Sequence, residues 1–300
     1  MPWNRNKLRM VTESEAKGET AQIFLELKEA LGIPHVSMVF RVLASYPRFF
    51  SLFWKSVRPL MHTGEFFTTA EQLQLDAHHR MQNTFTVPNL REKLTEFDFT
   101  PRAQEEVLDV VELYEYINPV LLLTMAAVME GLEHPEMPAR HGNLPAQHPS
   151  HPARPILVDE RLAPEPTRKL YDDIKETMGT PYLNTSYITF GRWPDFLREY
   201  WGSLKPIIGT AAYDEQRAAL RDFALRAAND LPEPMVLSKA ALDKAGINNE
   251  ERGNIQQTVN FFLDLLSKQV LNIAFGRVGL EGGAHPAVAV SGAGVMQGRK

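Results

Sequence analysis

The chain has 300 residues, a formal net charge of −5 at pH 7 and no cysteine. The missing cysteines exclude disulfides, thiolate metal sites and cysteine nucleophiles. The absence of any run of five or six Lys and Arg argues against nucleic-acid binding. The basic N-terminus leads into a polar segment, so we predict no secretory signal and expect a cytoplasmic protein.

The sequence contains two similar stretches, which begin at residues 32 and 179. The first reads "GIPHVSMVFRVLASYPRFFSLFW" and the second "GTPYLNTSYITFGRWPDFLREYW". Their shared Gly, Pro, Phe and Trp positions are displaced by 147 residues, and residues 112–132 align with 260–280 at a displacement of 148. The sequence therefore predicts a duplication that spans nearly the whole chain.

The local patterns are helical in both copies. An apolar stripe precedes Gly32 and Gly179, and glycine at such a position favours the left-handed residue that ends a helix. A fourth helix is expected to begin near Thr69, because Gln72 three residues later is typical of a capping box. The apolar segment 116–129 is shorter than the roughly 20 residues that cross a bilayer, so it predicts a helix buried on all sides.

No alternating strand pattern is found, so the predicted fold is all-α, with two homologous helical repeats forming an intramolecular pseudo-dimer. The predicted divisions are a first repeat at 1–132, a Pro/His-rich linker at 133–160, a second repeat at 161–281 and a flexible tail at 282–300. Four of the nine histidines lie in the linker. A proline-rich coil fixes no ligand geometry, so we predict no metal site.

The two copies differ most where a polar triplet, Asn184 to Ser186, replaces Ser37 to Val39. Such a triplet either caps a helix or forms a polar pocket wall, and the sequence leaves both open. The second difference is the pair Asn118-Pro119, in place of which the second copy has Leu266-Ser267. Pro119 removes a helical hydrogen bond, which either exposes polar groups to a pocket or only kinks the helix for packing.

The stretches "GIPHVSMVFRVLASYP", "EYINPVLLL" and "TPYLNTSY…RWPDFL" together resemble the group I 2-haloacid dehalogenase family over roughly residues 15–280. The resemblance implies an all-α pseudo-dimer with its site between the halves and no metal or organic cofactor. It also implies hydrolysis of 2-halocarboxylic acids. An aspartate in the second copy activates a water, which attacks the α-carbon directly, inverts its configuration and forms no covalent ester.

The chain departs from this family pattern at several pocket positions. The resemblance puts Ser186 where the family has its catalytic aspartate, and a hydroxyl is no general base near neutral pH unless another group takes its proton. His35 and Met38 stand in place of bulky aromatics, and Leu121 replaces a tyrosine, whereas Asn118 matches. His35 is therefore a candidate for the base that replaces the missing aspartate. The expected substrate-binding residues are Ser37, Met38, Asn118, Leu121, Asn184 and Thr185.

The expected function is a cofactor-free hydrolase of small 2-substituted or halogenated carboxylic acids, with a small carboxylic acid and water as its partners. No nucleic acid or membrane is expected, and homodimer formation is left open. The alternative is a diverged protein that binds a small carboxylate without turnover. A fainter likeness of "EQLQLDAHH" to helical peroxidases and decarboxylases cannot include their thiol chemistry, because cysteine is absent.

Overall fold

The computed structural model describes residues 8–134, 155–232, 235 and 237–286. Helices account for all the named secondary structure in these ranges, and an isolated antiparallel β-bridge joins Val87 to Ala284. The first half contains α1 (Gly18–Leu31), α2 (Met38–Leu43), α3 (Pro47–Leu60), α4 (Gly64–Thr84), α5 (Leu90–Glu96) and α6 (Pro101–Glu133). The second half contains α7 (Glu165–Met178), α8 (Thr185–Phe190), α9 (Pro194–Leu204), α10 (Ala211–Asn229), α11 (Lys239–Lys244) and α12 (Asn249–Leu280). The all-α prediction is confirmed.

The helices of the two halves begin at matching positions. The first residues of α7, α8, α9 and α10 follow those of α1, α2, α3 and α4 by 147 positions, and α12 begins 148 positions after α6. This is the spacing that the predicted duplication requires. We use "counterpart" below for residues related by these two displacements.

Glycine ends the first helix of each half. Gly32 has φ 64° and Gly179 has φ 69°, and the amides of these glycines and of the next residues close hydrogen bonds to carbonyls of the last helical turn. Only glycine adopts this left-handed geometry without strain. The chain therefore turns in the same way into α2 and into α8.

The predicted start of the fourth helix near Thr69 is wrong. The helix α4 begins at Gly64, and the hydroxyl of Thr69 donates to the carbonyl oxygen of Glu65 inside the helix. Phe66 and Phe67 are buried and extend the apolar face by one turn toward the N-terminus. Burial of these two rings outweighs the weak capping signal.

The helices α6 and α12, 33 and 32 residues long, form the centre of the fold and pack most extensively against each other. Almost every α6 residue from Val110 to Leu132 is buried, which confirms the predicted buried helix. By length and composition α6 also meets the criteria for a membrane span, but 89% of its most apolar window is buried inside the protein. The neighbouring helices therefore cover the surface that lipid would contact.

Several predicted divisions fall partly outside the described ranges. Residues 135–154 of the predicted linker and residues 287–300 of the predicted tail lie outside them. The repeat bounds at 132 and 161 lie one residue before the end of α6 at Glu133 and four residues before the start of α7 at Glu165. These divisions stay predictions.

Candidate active site

A small cavity of about 20 Å³ has walls formed by α2 and α6 of the first half and by α8 and α12 of the second. That is room for about one ordered water. Its lining from the first half is His35, Ser37, Met38, Val39, Tyr114, Ile117, Asn118 and Leu121. Its lining from the second half is Asn184, Thr185, Phe262, Leu265 and Leu266.

Counterpart positions of the two halves face the same cavity. Five counterpart pairs line it: Ser37 and Asn184, Met38 and Thr185, Tyr114 and Phe262, Ile117 and Leu265, Asn118 and Leu266. Such pairing is expected of a cavity that lies across the interface of two similar halves. The chemistry of the paired residues differs, so the cavity is lined asymmetrically.

The cavity brings together seven of the residues that the sequence singled out. They are His35, Ser37, Met38, Asn118, Leu121, Asn184 and Thr185. The eighth, Ser186, lies outside the lining and is 1% exposed. Its hydroxyl and its backbone N–H both donate to Oδ1 of Asn184 at 2.9 Å.

The sequence left open whether the Asn184 to Ser186 triplet caps a helix or forms a polar pocket wall, and in the structure Asn184 does both. It is the N-cap of α8, since its side chain accepts from the amide of Ser186, and it also lines the cavity. Asparagine favours this position because its short amide reaches the free N–H groups of the first turn. On the opposite wall Ser37 is the N-cap residue of α2 but makes no side-chain cap, so the first-turn amides of α2 lack this partner.

His35 lies at the entry to α2 with Nδ1 buried and without a hydrogen-bond partner among the described residues. Burial lowers the pKa of its imidazole, the Glu13 carboxylate opposes that change, and Arg41 and Lys28 reinforce it. Glu13 also accepts from the amide of Val36 at 2.9 Å, which fixes the loop that carries His35. The lowered pKa keeps the imidazole neutral at pH 7, with one nitrogen able to accept a proton.

Asn118 projects into the cavity from α6, which runs through Pro119 without a break. The side chain is 2% exposed, and its Nδ2 has no hydrogen-bond partner in the part of the chain that the structure describes. A buried donor without a partner costs about 1–3 kcal/mol. Such a donor on a cavity wall is suited to a ligand that brings an acceptor.

The sequence comparison overlooked much of the apolar lining. The predicted site residues did not include Val39, Ile117, Phe262, Leu265 and Leu266, because a search for polar differences between the copies passes over apolar side chains. Tyr114 was also overlooked, although its hydroxyl makes a 2.8 Å hydrogen bond to the hydroxyl of Thr189. The helical spacing of 114, 118 and 121, one stripe with Asn118 at its centre, is the signal that could have found it.

No group of three His, Asp or Glu side chains with metal-site geometry occurs within the described ranges. Neither His78 nor His79 lines the cavity, and Nε2 of His78 lies 3.4 Å from Oε2 of Glu281. The linker histidines 141, 148 and 151 lie outside the described residues.

The family model described as halocarboxylic acid dehydrogenase DehI matches residues 34–187, which is half of the chain and includes most of the cavity lining. The chain belongs to this family of group I 2-haloacid dehalogenases. An (R)-2-haloacid dehalogenase of Pseudomonas putida is 28% identical over 272 residues, which cover 89% of this chain and 90% of the relative.

Solved structures of D-2-haloacid dehalogenases have the same fold over most of this chain. A D-2-haloacid dehalogenase mutant superimposes with a TM-score of 0.85 at 27% identity, covering 93% of this chain and 99% of the other. The complex of a D-2-haloacid dehalogenase with L-LA gives a TM-score of 0.83 at 27% identity, with the same coverage.

Proposed function

We propose that this DehI-family protein hydrolyses small 2-halocarboxylic acids by direct attack of water on the α-carbon. The observation that carries the proposal is that two cavity-lining residues, His35 and Asn118, each have a buried side-chain nitrogen without a hydrogen-bond partner among the described residues, Nδ1 and Nδ2 respectively. One can take a proton and the other can donate a hydrogen bond, which are the two functions that this hydrolysis needs.

The proposed base is His35. The neutral imidazole takes a proton from water, the water oxygen forms a bond to the α-carbon, and the halide leaves with the electron pair of the carbon–halogen bond. The products are a 2-hydroxy acid of inverted configuration, a halide ion and one proton. Ser186 does not fill this role, because its hydroxyl already donates to Asn184.

The proposed anchor for the carboxylate is the Nδ2 group of Asn118, assisted by the hydroxyl of Thr185. The described lining contains neither Lys nor Arg, so the negative charge would be held by neutral donors in an apolar surround. Hydrogen bonds to a charged acceptor are about twice as strong as neutral ones.

The size of the cavity favours short acids. Because about 20 Å³ holds only about one water, a two- or three-carbon acid requires the walls to shift. Met38 is the lining side chain best able to move, since methionine is unbranched and flexible. Turnover should therefore decline from chloroacetate and 2-chloropropionate to 2-chlorobutyrate and longer acids.

The deciding experiment is halide release from D- and L-2-chloropropionate by the natural protein and by His35→Gln, Ser186→Asp and His79→Gln. We expect release by the natural protein and a loss of about 10²–10⁴-fold in His35→Gln, the range that a general base contributes. The exposed His79 lies outside the cavity lining, so His79→Gln is the matched control and should keep full activity.

The outcomes separate the parts of the proposal. Full activity in His35→Gln would remove His35 from the mechanism while leaving the hydrolysis intact. Release by Ser186→Asp alone would mean that the natural protein lacks a base and binds a small carboxylate without turning it over. If neither the natural protein nor Ser186→Asp releases halide, the assignment to haloacids is refuted.

The pseudo-dimer arrangement, the absence of any cofactor requirement and a cytoplasmic location belong to the same proposal. The matching helix starts and the five counterpart pairs at the cavity support the pseudo-dimer. The reaction as written consumes only the acid and water, so it needs neither metal nor organic cofactor.

A further inference from the structure

The α8 wall of the cavity is connected by side-chain hydrogen bonds to both central helices. The first connection comes from α6. The hydroxyl of Tyr114 lies 2.8 Å from the hydroxyl of Thr189, which itself donates to the carbonyl oxygen of Thr185 at 2.8 Å. Since the Thr189 proton is used in that second bond, Tyr114 is the donor in the first.

The second connection comes from α12. Asn272 donates from Nδ2 to the hydroxyl of Tyr187 at 2.9 Å, and its Oδ1 accepts from Tyr213 at 2.6 Å. Asn272 is 1% exposed, so both ends of its amide are satisfied inside the protein. An amide held at both ends has a fixed orientation, and it fixes the ring of Tyr187 in turn.

The α2 wall has no such connections at the counterpart positions. The counterparts of Tyr187 and Thr189 are Phe40 and Val42, and the counterpart of Tyr114 is Phe262. The counterpart of Asn272 is Thr124, whose hydroxyl donates to Val120 within its own helix. None of these four counterpart residues therefore forms a side-chain hydrogen bond that links α2 to a central helix.

We propose that the Tyr114–Thr189 and Asn272–Tyr187 hydrogen bonds position α8, so that Asn184 and Thr185 keep a fixed place in the cavity wall. Thr189, Tyr187 and Asn272 are positioning residues, because they act through α8 and do not line the cavity. The α2 helix of the opposite wall has no such side-chain hydrogen bonds to α6 and α12 at the counterpart positions, and it is then the part of the wall that adjusts to the ligand. The kinetic part of this inference rests on the proposed function.

The test is the double variant Tyr114→Phe/Thr189→Val, which gives the α6–α8 pair the residue types of its counterparts. Replacing both partners by apolar groups of similar shape is nearly neutral for stability. We therefore expect the melting temperature to stay within about 2 °C, while hydrogen exchange of the α8 amides speeds up. We expect kcat/KM for 2-chloropropionate to fall about tenfold, as the loss of one ordered hydrogen bond implies.

Two controls separate positioning from a general structural effect. Tyr116 lies two residues away on α6 and donates to the carbonyl oxygen of Leu31, so Tyr116→Phe loses a similar bond without touching α8. It should leave α8 exchange and kcat/KM unchanged. Thr189→Ser keeps the hydroxyl and should behave as the natural protein, whereas Thr189→Val should not; this comparison decides the matter if the double variant folds poorly.

Unchanged α8 exchange in Tyr114→Phe/Thr189→Val, or equal behaviour of Thr189→Ser and Thr189→Val, would overturn the inference. If the natural protein releases no halide, the proposed function fails. The exchange measurements then still decide whether the hydrogen bonds hold α8.

Discussion

The short helices α2 and α8 occupy counterpart places beside the cavity, yet different forces hold them. In α2 the residues Val39, Phe40, Val42 and Leu43 are buried and apolar, so their side chains hold the helix by packing. The carbonyl of Arg41 also accepts a backbone hydrogen bond from Val11 at 2.9 Å, outside the central helices. In α8 the buried Tyr187 and Thr189 form hydrogen bonds to α12 and α6. Hydrogen bonds are directional whereas hydrophobic contact is not, so one wall is fixed in orientation and the other can adjust.

The two halves also differ in where their buried polar groups are satisfied. In the first half the Nδ1 of His35 and the Nδ2 of Asn118 lack partners and reach the cavity. In the second half Asn272 is satisfied at both ends. The buried cavity-lining residues with an unpaired polar atom are therefore in the first half, whereas Tyr187, Thr189 and Asn272 of the second half use their polar groups to hold structure. Exchanging residue types between counterpart positions tests this division.

The largest effect is expected at Asn118, whose counterpart is Leu266. In Asn118→Leu the cavity loses its buried donor, so we expect halide release from 2-chloropropionate to fall by at least about 100-fold. Stability should stay equal or rise, because an unpaired buried donor has been removed. Kinetics and thermal melting check the two parts, and normal turnover in this variant would show that the carboxylate binds elsewhere.

The next effect concerns Glu115, whose counterpart is the buried Leu263. Burial raises the pKa of Glu115 to about 8 from 4.5, and Arg277, 3.7 Å away and already bonded to Glu112 and Glu281, only partly opposes this. A raised folded-state pKa contributes stability that is complete below 4.5 and is lost as pH rises through 8. The loss builds up from pH 4.5, is complete by about pH 8 and is on the order of a few kcal/mol for this pKa change.

Glu115→Gln should remove this pH dependence. Its stability should be close to that of the natural protein near pH 4.5, higher by about 2 kcal/mol at pH 6 and higher by a few kcal/mol at pH 8. Urea unfolding at pH 4.5, 6 and 8 measures both proteins. If the unfolding free energies of the two proteins change with pH in parallel across this range, Glu115 is ionised without penalty in the folded protein.

A smaller effect is expected at Tyr187, whose counterpart is Phe40. Tyr187→Phe leaves Nδ2 of Asn272 with only the weak sulfur acceptor of Met178 at 3.4 Å. The expected destabilisation is about 1–2 kcal/mol. Phe40→Tyr in the other half should also destabilise, because Thr124 is already bonded within α6 and offers no matching amide. If Phe40→Tyr were neutral, the two environments would be more alike than the hydrogen bonds indicate.

The smallest effect is expected at Gln269, whose counterpart is Leu121. Gln269 is 1% exposed and its Nε2 has no hydrogen-bond partner among the described residues. Gln269→Leu should stabilise the protein by about 1 kcal/mol, since it removes an unsatisfied donor and keeps a similar shape. The urea midpoint reports this change, and a lower midpoint would indicate that the amide has a partner after all.

Much of the fold could be predicted from local sequence patterns, but not all of it. The glycines at 32 and 179 mark helix ends correctly, and the apolar run in α6 is buried as predicted. The start of α4 was predicted wrongly at Thr69, because the capping pattern is weaker than the burial of Phe66 and Phe67. The prediction from differences between the copies located Asn118 and Asn184 at the cavity but overlooked Tyr114.

The sequence by itself determined the helical character of the fold, the helix ends at Gly32 and Gly179 and the spacing between the two halves, because these depend on periodicity and on the conformational preferences of single residues. Only the tertiary structure decided that the Ser186 hydroxyl donates to Asn184, that Asn118 is left without a partner, and that Glu115 has a raised pKa. These properties depend on which groups from distant segments surround a side chain and on how much water they exclude.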